Sequence, residues 1–444
     1  MDEIVKDVEK QLAEKMKFRE AMLKVIRETN ENRDAILANM DEDELRERLR
    51  AMKKGAIENI EKLKKTAIEN FKKNGVRVLE AKDAEDARDI ILGIIGREKL
   101  VVKSKSNACK EIELNRFLEE CGVEVVETDL GDFLTQVCGV EGIHPVIPAM
   151  HLTPEEMAGA LRKKFGAKVS AKPAQFSRSE NAPHFAEGKI AEEIVGFARG
   201  YLREKITRSK IGITGANALT SDGNIVVLEN EGNISLVSRY PDKHIAVAGF
   251  EKIVPTLEDA LLVARCDAIW GTGREAPVYI SIINGPSKTA DIENKAVLGA
   301  QGAKEVYLVL IDNGRSEMIE GGLGELMYCI NCGACDNACP SYHQLAEFFG
   351  FERAGGKGLI SHVIADERDE NNLRAYLCLA CSGCKEDCPA KIDIPLLIKK
   401  LRARMAKNGF ELETNRQMVE NVRKYGNPFG EIEEGEIPKN LYCC

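Results

Sequence analysis

Eight cysteines toward the carboxyl end of the chain fall into two runs: Cys329, Cys332, Cys335 and Cys339 before Pro340, and Cys378, Cys381, Cys384 and Cys388 before Pro389. Each run spells C-x2-C-x2-C-x3-C-P, the spacing of bacterial two-cluster ferredoxins. The chemistry accounts for the spacing. A cubane cluster takes four thiolates converging from different directions, and a tight C-x2-C-x2-C loop supplies three of them. The last Cys of the run, before a proline, has turned away and reaches the other cluster. The expected ligand sets are therefore crossed. Cys329, Cys332 and Cys335 take Cys388; Cys378, Cys381 and Cys384 take Cys339. Two [4Fe–4S] clusters held in this way lie close together, as one-electron hopping requires. Gly333 and Gly383 are expected to let backbone N–H groups approach the cluster sulfides. Disulfides would need an oxidising compartment, which nothing in the sequence suggests. Zinc sites usually come as separated C-x2-C pairs.

Other candidates lie upstream. His144 and His151 flank Pro145–Met150; they are either a pair that handles a proton or a carboxylate, or hydrogen-bonded histidines closing the ends of a strand. Glu231 is either a general base or the holder of a turn, with Asn217 and Asn233 in neighbouring loops. Ser287 and Thr289, with Lys288 and Asp291, either bind an anionic group or cap a helix entry. Lys103 and Lys105 alternate along a strand and either attract a carboxylate or line a solvated edge. No G-x-G-x-x-G or P-loop occurs. No flavin or nicotinamide fingerprint is visible, so a hydride acceptor is expected on a partner. Cys109, Cys121, Cys138 and Cys266 stand alone and are expected to be buried free thiols.

These residues need elements to position them. Residues 1–73 carry apolar positions at near-helical spacing from Ile4 to Phe71 and predict a helical N-terminal segment, a cap or interaction arm, with Asp41–Glu44 as a solvated helix start. Residues 74–315 alternate β-rich runs with helical stretches such as Ala84–Ile95 and Ala108–Cys121. The runs include Val76–Glu80, Leu100–Ser104, Val123–Thr128, Pro145–Met150, Lys210–Thr214, Ile225–Leu228, Leu236–Tyr240, His244–Gly249, Val278–Ile283 and Glu305–Leu310. That alternation predicts an α/β domain with a largely parallel sheet. In such sheets ligands gather at the carboxyl ends of strands, where Gly212–Asn217, Glu229–Asn233 and Gly285–Glu293 form polar, Gly-rich loops. Gly321-Gly322 is expected to be a flexible joint. Residues 325–405 form a mostly helical ferredoxin module that includes a helix Leu396–Met405, with Pro395 at its start. Residues 406–444 are expected to be an extended arm.

The totals exclude several classes. The chain has 444 residues, 44% hydrophobic and 30% charged, with a net charge of −9. That charge argues against a nucleic-acid binder. No apolar run approaches the ~20 residues of a membrane helix, and Met1–Lys6 has no signal-peptide core. A cytoplasmic protein is expected, with any membrane docking made through partners.

The combination resembles the lactate-utilisation protein B family. The residues that carry the likeness are Val101–Ser106, Val125–Leu130, Gly212–Asn217, Asn230–Asn233, His244–Pro255, Gly285–Glu293, Asp312–Ser316, the two cysteine runs and Lys391–Pro395. The resemblance implies a lactate-utilisation domain of the ribose-phosphate isomerase and CoA-transferase type, followed by an α-helical ferredoxin module. It implies a part in lactate oxidation as one subunit of a complex. Its neighbours would be a CCG-motif subunit like those of heterodisulfide reductase, a flavoprotein dehydrogenase subunit, or both. Tyr425–Gly430 resembles the segment that leads into CCG-type subunits, and Cys443-Cys444 either ligate metal in a partner or have no ligand role. Three functions follow: an electron-transfer subunit, a catalytic subunit that binds the 2-hydroxy acid in the α/β domain, or a non-redox scaffold with structural clusters.

Overall fold

The strands run in chain order as β1 Val76–Ala81, β2 Leu100–Lys103, β3 Glu124–Glu127, β4 Ile211–Thr214, β5 Ala218–Thr220, β6 Ile225–Glu229, β7 Lys243–Gly249, β8 Ile253–Val254, β9 Tyr279–Ile283, β10 Lys288–Thr289, β11 Val297–Leu298 and β12 Glu305–Ile311. They are taken from a computed structural model that describes residues 3–14, 16–169, 189–350, 355–365 and 369–432. Cys443 and Cys444 lie outside those residues.

Six strands form one parallel sheet in the order β1-β12-β7-β4-β2-β3. Both faces of it are covered, so its central strands are apolar without alternation. Ile245 and Val247 of β7 enter the core on one face, with Ile91, Ile95 and Ile213. Ala246 and Ala248 enter the core on the other. Each fully buried Ile or Val contributes roughly 1.5–3 kcal/mol. A second sheet, β8-β5-β6-β9, mixes parallel and antiparallel pairs, and β10–β11 is a separate hairpin.

The helix Ala84–Ile95 forms as the spacing predicts, capped by Asp83, whose side chain accepts from the Asp86 N–H. Ala108–Cys121 divides into helices Asn107–Glu111 and Leu114–Glu120, because Glu113 between them has φ +49°. Two expected strands are corrected. Leu236–Tyr240 belongs to the helix Asn233–Arg239, which starts after Gly232 at φ +81°. Pro145–Met150 is a chain of turns, because its two prolines, Pro145 and Pro148, cannot donate to a ladder.

The largest of three buried apolar clusters links distant parts of the chain. It joins Leu49 and Phe71 of the N-terminal helices, Ile269 and Trp270 beneath the sheets, and Tyr342, Leu397 and Leu401 of the cysteine-rich part. Gly321-Gly322, expected to be a flexible joint, stands at a kink, with Gly322 at φ +74°, between turns that bury Leu323, Leu326 and Met327. The expected helix near the end forms as Ile394–Lys407, with Pro395 in its first turn. Residues 413–425, expected to be extended, form the helix Glu413–Tyr425 closed by Gly426 at φ +74°. Val419 and Val422 stay exposed on it. Of the lone thiols Cys109 and Cys266 are buried, Cys138 is half-buried and Cys121 is exposed.

His244 is fully buried in β7, with Nε2 2.8 Å from the Thr214 hydroxyl. Burial, with Arg239 adding repulsion, pushes its imidazole down to about 4. A lowered folded pKa means that the unfolded chain binds the proton more readily. His244 therefore costs the fold nothing above about pH 6.5, and stability is lost as pH falls from there toward 4, by about 3 kcal/mol at most. His244→Leu is expected to flatten that part of the pH profile, read by urea unfolding between pH 7.5 and 5.5.

Candidate metal centre and adjoining cavity

The two cysteine runs take one backbone path. Two residues after the first Cys of each run the chain turns through positive φ, at Asn331 (+68°) and Ala380 (+52°), and again two residues later, at Gly333 (+81°) and Ser382 (+70°). The same N–H donates to the same sulfur in both: Asn331 N to Cys329 Sγ at 3.3 Å and Ala380 N to Cys378 Sγ at 3.4 Å. The N–H groups that reach cysteine sulfur in this way belong to Asn331 and Ala380. The two glycines also stand at close packing contacts. A Cβ on Gly333 would lie 2.4 Å from His144 Nε2, and one on Gly383 would lie 2.9 Å from the Ala338 oxygen.

That second contact sets the runs against each other. The helix Ala334–Asn337 of the first packs on the helix Gly383–Glu386 of the second. Electrostatic neighbours among the thiols follow this packing. Cys335 is pushed well up by burial, then by Asp336 and by Cys329, Cys332 and Cys388. Cys388 is pushed up to about 11 by burial and by Cys329. Cys384 is raised by burial, then by Cys339, Cys378 and Cys381. Cys339 rises to about 12 through burial, with Asp336 and Cys378 adding to it. Each trio thus has as its neighbour the fourth Cys of the other run. Among the described residues no three His, Cys, Asp or Glu close to the spacing of a single ion; a four-iron cube spreads its sulfurs wider than one ion does. Eight thiols in two such groups, with N–H donors already aimed at sulfur, fit two [4Fe–4S] clusters, and binding them would displace the thiol protons. The groups differ in exposure. Cys332 and Cys388 are buried, whereas Cys381 is exposed beside Leu379, 68% exposed.

The first group borders a cavity of about 490 Å³. Its floor is the carboxyl edge of the parallel sheet: Lys105 and Ser106 after β2, Asn217 after β4, Lys252 after β7, Arg315 after β12. Its far wall includes Cys329, Asn331, Gly333 and Cys335. His144 joins the two sides. Its Nδ1 accepts from the N–H groups of Val146 (3.2 Å) and Ile147 (3.1 Å), and Nε2 lies 3.4 Å from the Gly333 carbonyl. Burial holds its imidazole down at about 4. Tyr342 adds a second tie, its hydroxyl donating to the Ile143 carbonyl at 2.7 Å.

The remaining candidates separate. Glu231 is at the cavity and accepts from the Leu130 N–H at 3.0 Å; partial burial and Asp129 push its carboxyl up to about 7. Asn217 lines the cavity, donating to Asp267 at 2.8 Å and accepting from the Leu228 N–H. Asn233 donates to the Thr128 hydroxyl at 3.3 Å. His151 is not among the lining residues. Ser287 and Thr289 are not there either, and they do not cap a helix. They belong to the β10–β11 hairpin, where Thr289 pairs with Asp291. Lys105 lines the cavity, 3.3 Å from Asp129. Lys103 does not: it is fully buried, 2.7 Å from Glu127, its register partner on β3. Burial would lower its pKa, but Glu127 raises it. The sequence reading missed Glu251, Lys252, Asp267 and Lys357 of the cavity wall. A position just past a predicted strand was the only available signal, and it marked Glu251 and Lys252 alone.

Residues 64–311 match the LUD domain family and residues 325–392 the 4Fe-4S dicluster domain. The chain belongs to the lactate utilization protein B family. It is 32% identical to Lactate utilization protein B of Geobacillus sp. (strain WCH70), over 78% of this chain and 68% of that protein. It is 32% identical to that of Lysinibacillus sphaericus, over 83% and 73%. It is 29% identical to the Uncharacterized electron transport protein YkgF of Escherichia coli K12, over 85% and 75%. Among solved structures, a DUF162 family protein from Deinococcus radiodurans matches at a TM-score of 0.30 and 13% identity, over 57% of this chain and 98% of that one. Among the described residues no helix is long and apolar enough to cross a membrane.

Proposed function

We propose that this chain is a cytoplasmic iron–sulfur electron-transfer subunit of a complex that oxidises lactate or a similar 2-hydroxy acid. Cys329, Cys332, Cys335 and Cys388 hold one cluster; Cys378, Cys381, Cys384 and Cys339 hold the other. Electrons pass singly between them and on to or from a partner, either a CCG-motif subunit or a flavoprotein. The observation that carries the reading is the mutual approach of each three-thiol loop and the last Cys of the opposite run. The relatives' names, lactate utilization and electron transport, agree with it. The exposed Cys381 and Leu379 mark the side where a partner can come near. Protein purified without oxygen is expected to be brown, with about eight iron atoms per chain and two interacting paramagnetic centres after reduction. A colourless, zinc-loaded protein would end the reading.

The cavity favours a second reading, in which the α/β domain binds the 2-hydroxy acid itself. It opens beside Cys329 and Cys335, and Glu231 stands at it with a carboxyl that changes charge near neutrality. Dye-linked lactate oxidation by the isolated chain would establish it; activity only with an added partner would return the acid to that partner.

A further inference from the structure

The second sheet ends in an unprotected edge. In the order β8-β5-β6-β9, β9 has β6 on one side and, among the described residues, no strand on the other. The outer N–H and C=O groups of such a strand are a template for another strand, and proteins usually blunt them with charge or an internal proline. β9 has neither. Residues 276–287 include no charged side chain, and Tyr279–Ile283 contains no proline. Tyr279 is 52% exposed, Ile280 38% and Ile282 43%. Ser281 between them is buried, its hydroxyl donating to Glu229 at 3.2 Å. Ile280 and Ile282 therefore share the opposite face of the strand. The β10–β11 hairpin roots beside this edge. A Cβ on Gly302, just past the hairpin, would lie 3.9 Å from the Arg239 carbonyl oxygen, and the Arg239 guanidinium donates to the Ser281 hydroxyl at 3.2 Å. The hairpin segment exposes Ile292, Val297 and Leu298 as well.

We infer that this edge pairs with β9 of a second copy of the chain, antiparallel, about a two-fold axis at Ser281. The strand's own sequence suits that pairing, because Tyr-Ile-Ser-Ile-Ile has the same character read in either direction. Centred on Ser281, it sets Ile280 opposite the partner's Ile282 and Tyr279 opposite the partner's Ile283. Four isoleucines then meet around the axis on one face, as favourable cross-strand pairs. A two-fold contact also lays a patch against itself, so a patch of one sign would repel. The hairpin segment instead carries Lys288 and Lys295 against Asp291 and Glu293, in a chain whose net charge is −9. A five-residue strand falls short of the roughly 800 Å² that each partner gives a standard interface; the apolar side chains of the hairpin segment enlarge it. Nothing in this inference uses the electron-transfer reading.

Cluster-loaded protein, kept free of oxygen, is weighed by light scattering after gel filtration, over a wide range of concentration. Wild type is expected at twice the chain mass. Ile280→Lys/Ile282→Lys puts like charges opposite each other across the axis and is expected at the single-chain mass, with iron content unchanged. Ile280→Lys/Ile282→Glu loses the same apolar area but sets Lys against Glu, and is expected to recover the dimer. Should the lysine variant lose iron, hydrogen exchange of wild type makes the same test: amides of residues 279–283 are expected to exchange at least tenfold faster once the protein is diluted to the single-chain mass. Wild type at the single-chain mass throughout, a dimer that the lysine variant keeps, or β9 amides indifferent to dilution would overturn the inference. So would a mixed variant no more dimeric than the lysine one, or a purified complex in which an unlike subunit occupies β9. Any of these with about eight iron atoms per chain leaves the electron-transfer reading standing, whereas missing clusters in a dimeric wild type refute that reading alone.

Discussion

Cys388→Ser is expected to abolish the same paramagnetic centre as Cys332→Ser, while Cys339→Ser abolishes the one lost with Cys384→Ser. In each variant iron should fall from about eight to about four atoms per chain. The reason is geometric. Cys388 has Cys329 among its electrostatic neighbours and Cys339 has Cys378; on the proposed assignment each fourth ligand would serve the trio that it does not follow in sequence. If Cys388→Ser instead removes the centre that Cys384→Ser removes, each run holds its own cluster and the crossed assignment is wrong. Iron analysis and EPR of the four variants decide it.

Arg315→Met is expected to destabilise the protein by about 3–5 kcal/mol. The guanidinium is almost wholly buried and reaches two carboxylates from different elements, Glu111 of the helix Asn107–Glu111 and Glu251 after β7. Removing it leaves two acids facing each other out of water. Glu251 titrates below the usual carboxylate range, because Arg315 and Lys252 outweigh its burial. A depressed folded pKa gives stability that is complete above the ordinary carboxylate pKa and is lost as pH falls through the folded one. The double variant Arg315→Met/Glu251→Gln is expected to recover part of the loss, measured by denaturant unfolding at pH 7. Equal stability of wild type and Arg315→Met would show that the network contributes nothing net.

The metal-binding half of the site was legible because its determinants are local. A spacing of two and three residues between cysteines survives any arrangement of the rest of the chain. The parallel strands were legible for a similar reason: β4 and β7 are buried on both faces and carry apolar runs at residues 211–213 and 245–249. The cavity wall was not legible. Glu251, Asp267 and Lys357 each look like ordinary surface charge, and only the closing of β7, the helix Leu257–Thr272 and the helix Gly355–Ala365 around one space gives them a common address. Leu236–Tyr240 was misread because its pattern suits a strand, while the left-handed Gly232 that starts a helix there acts through backbone conformation. Ser287 and Thr289 have the composition of a binding loop, yet the hairpin carries them away from the sheet's carboxyl edge.

The N-terminal helices grip the far end of the chain. Arg46 and Arg50, both on the helix Glu42–Glu58, donate to the carbonyls of Cys388 (3.0 Å) and Ala390 (3.0 Å). Arg33 pairs with Asp387 at 2.9 Å, and Glu47 with Lys391 at 2.6 Å. These contacts join segments some 342 positions apart in sequence. A chain cut just before Cys388 would lose the carbonyls that Arg46 and Arg50 clasp and, on the proposed assignment, the fourth thiol of the first cluster, while keeping all four thiols of the second.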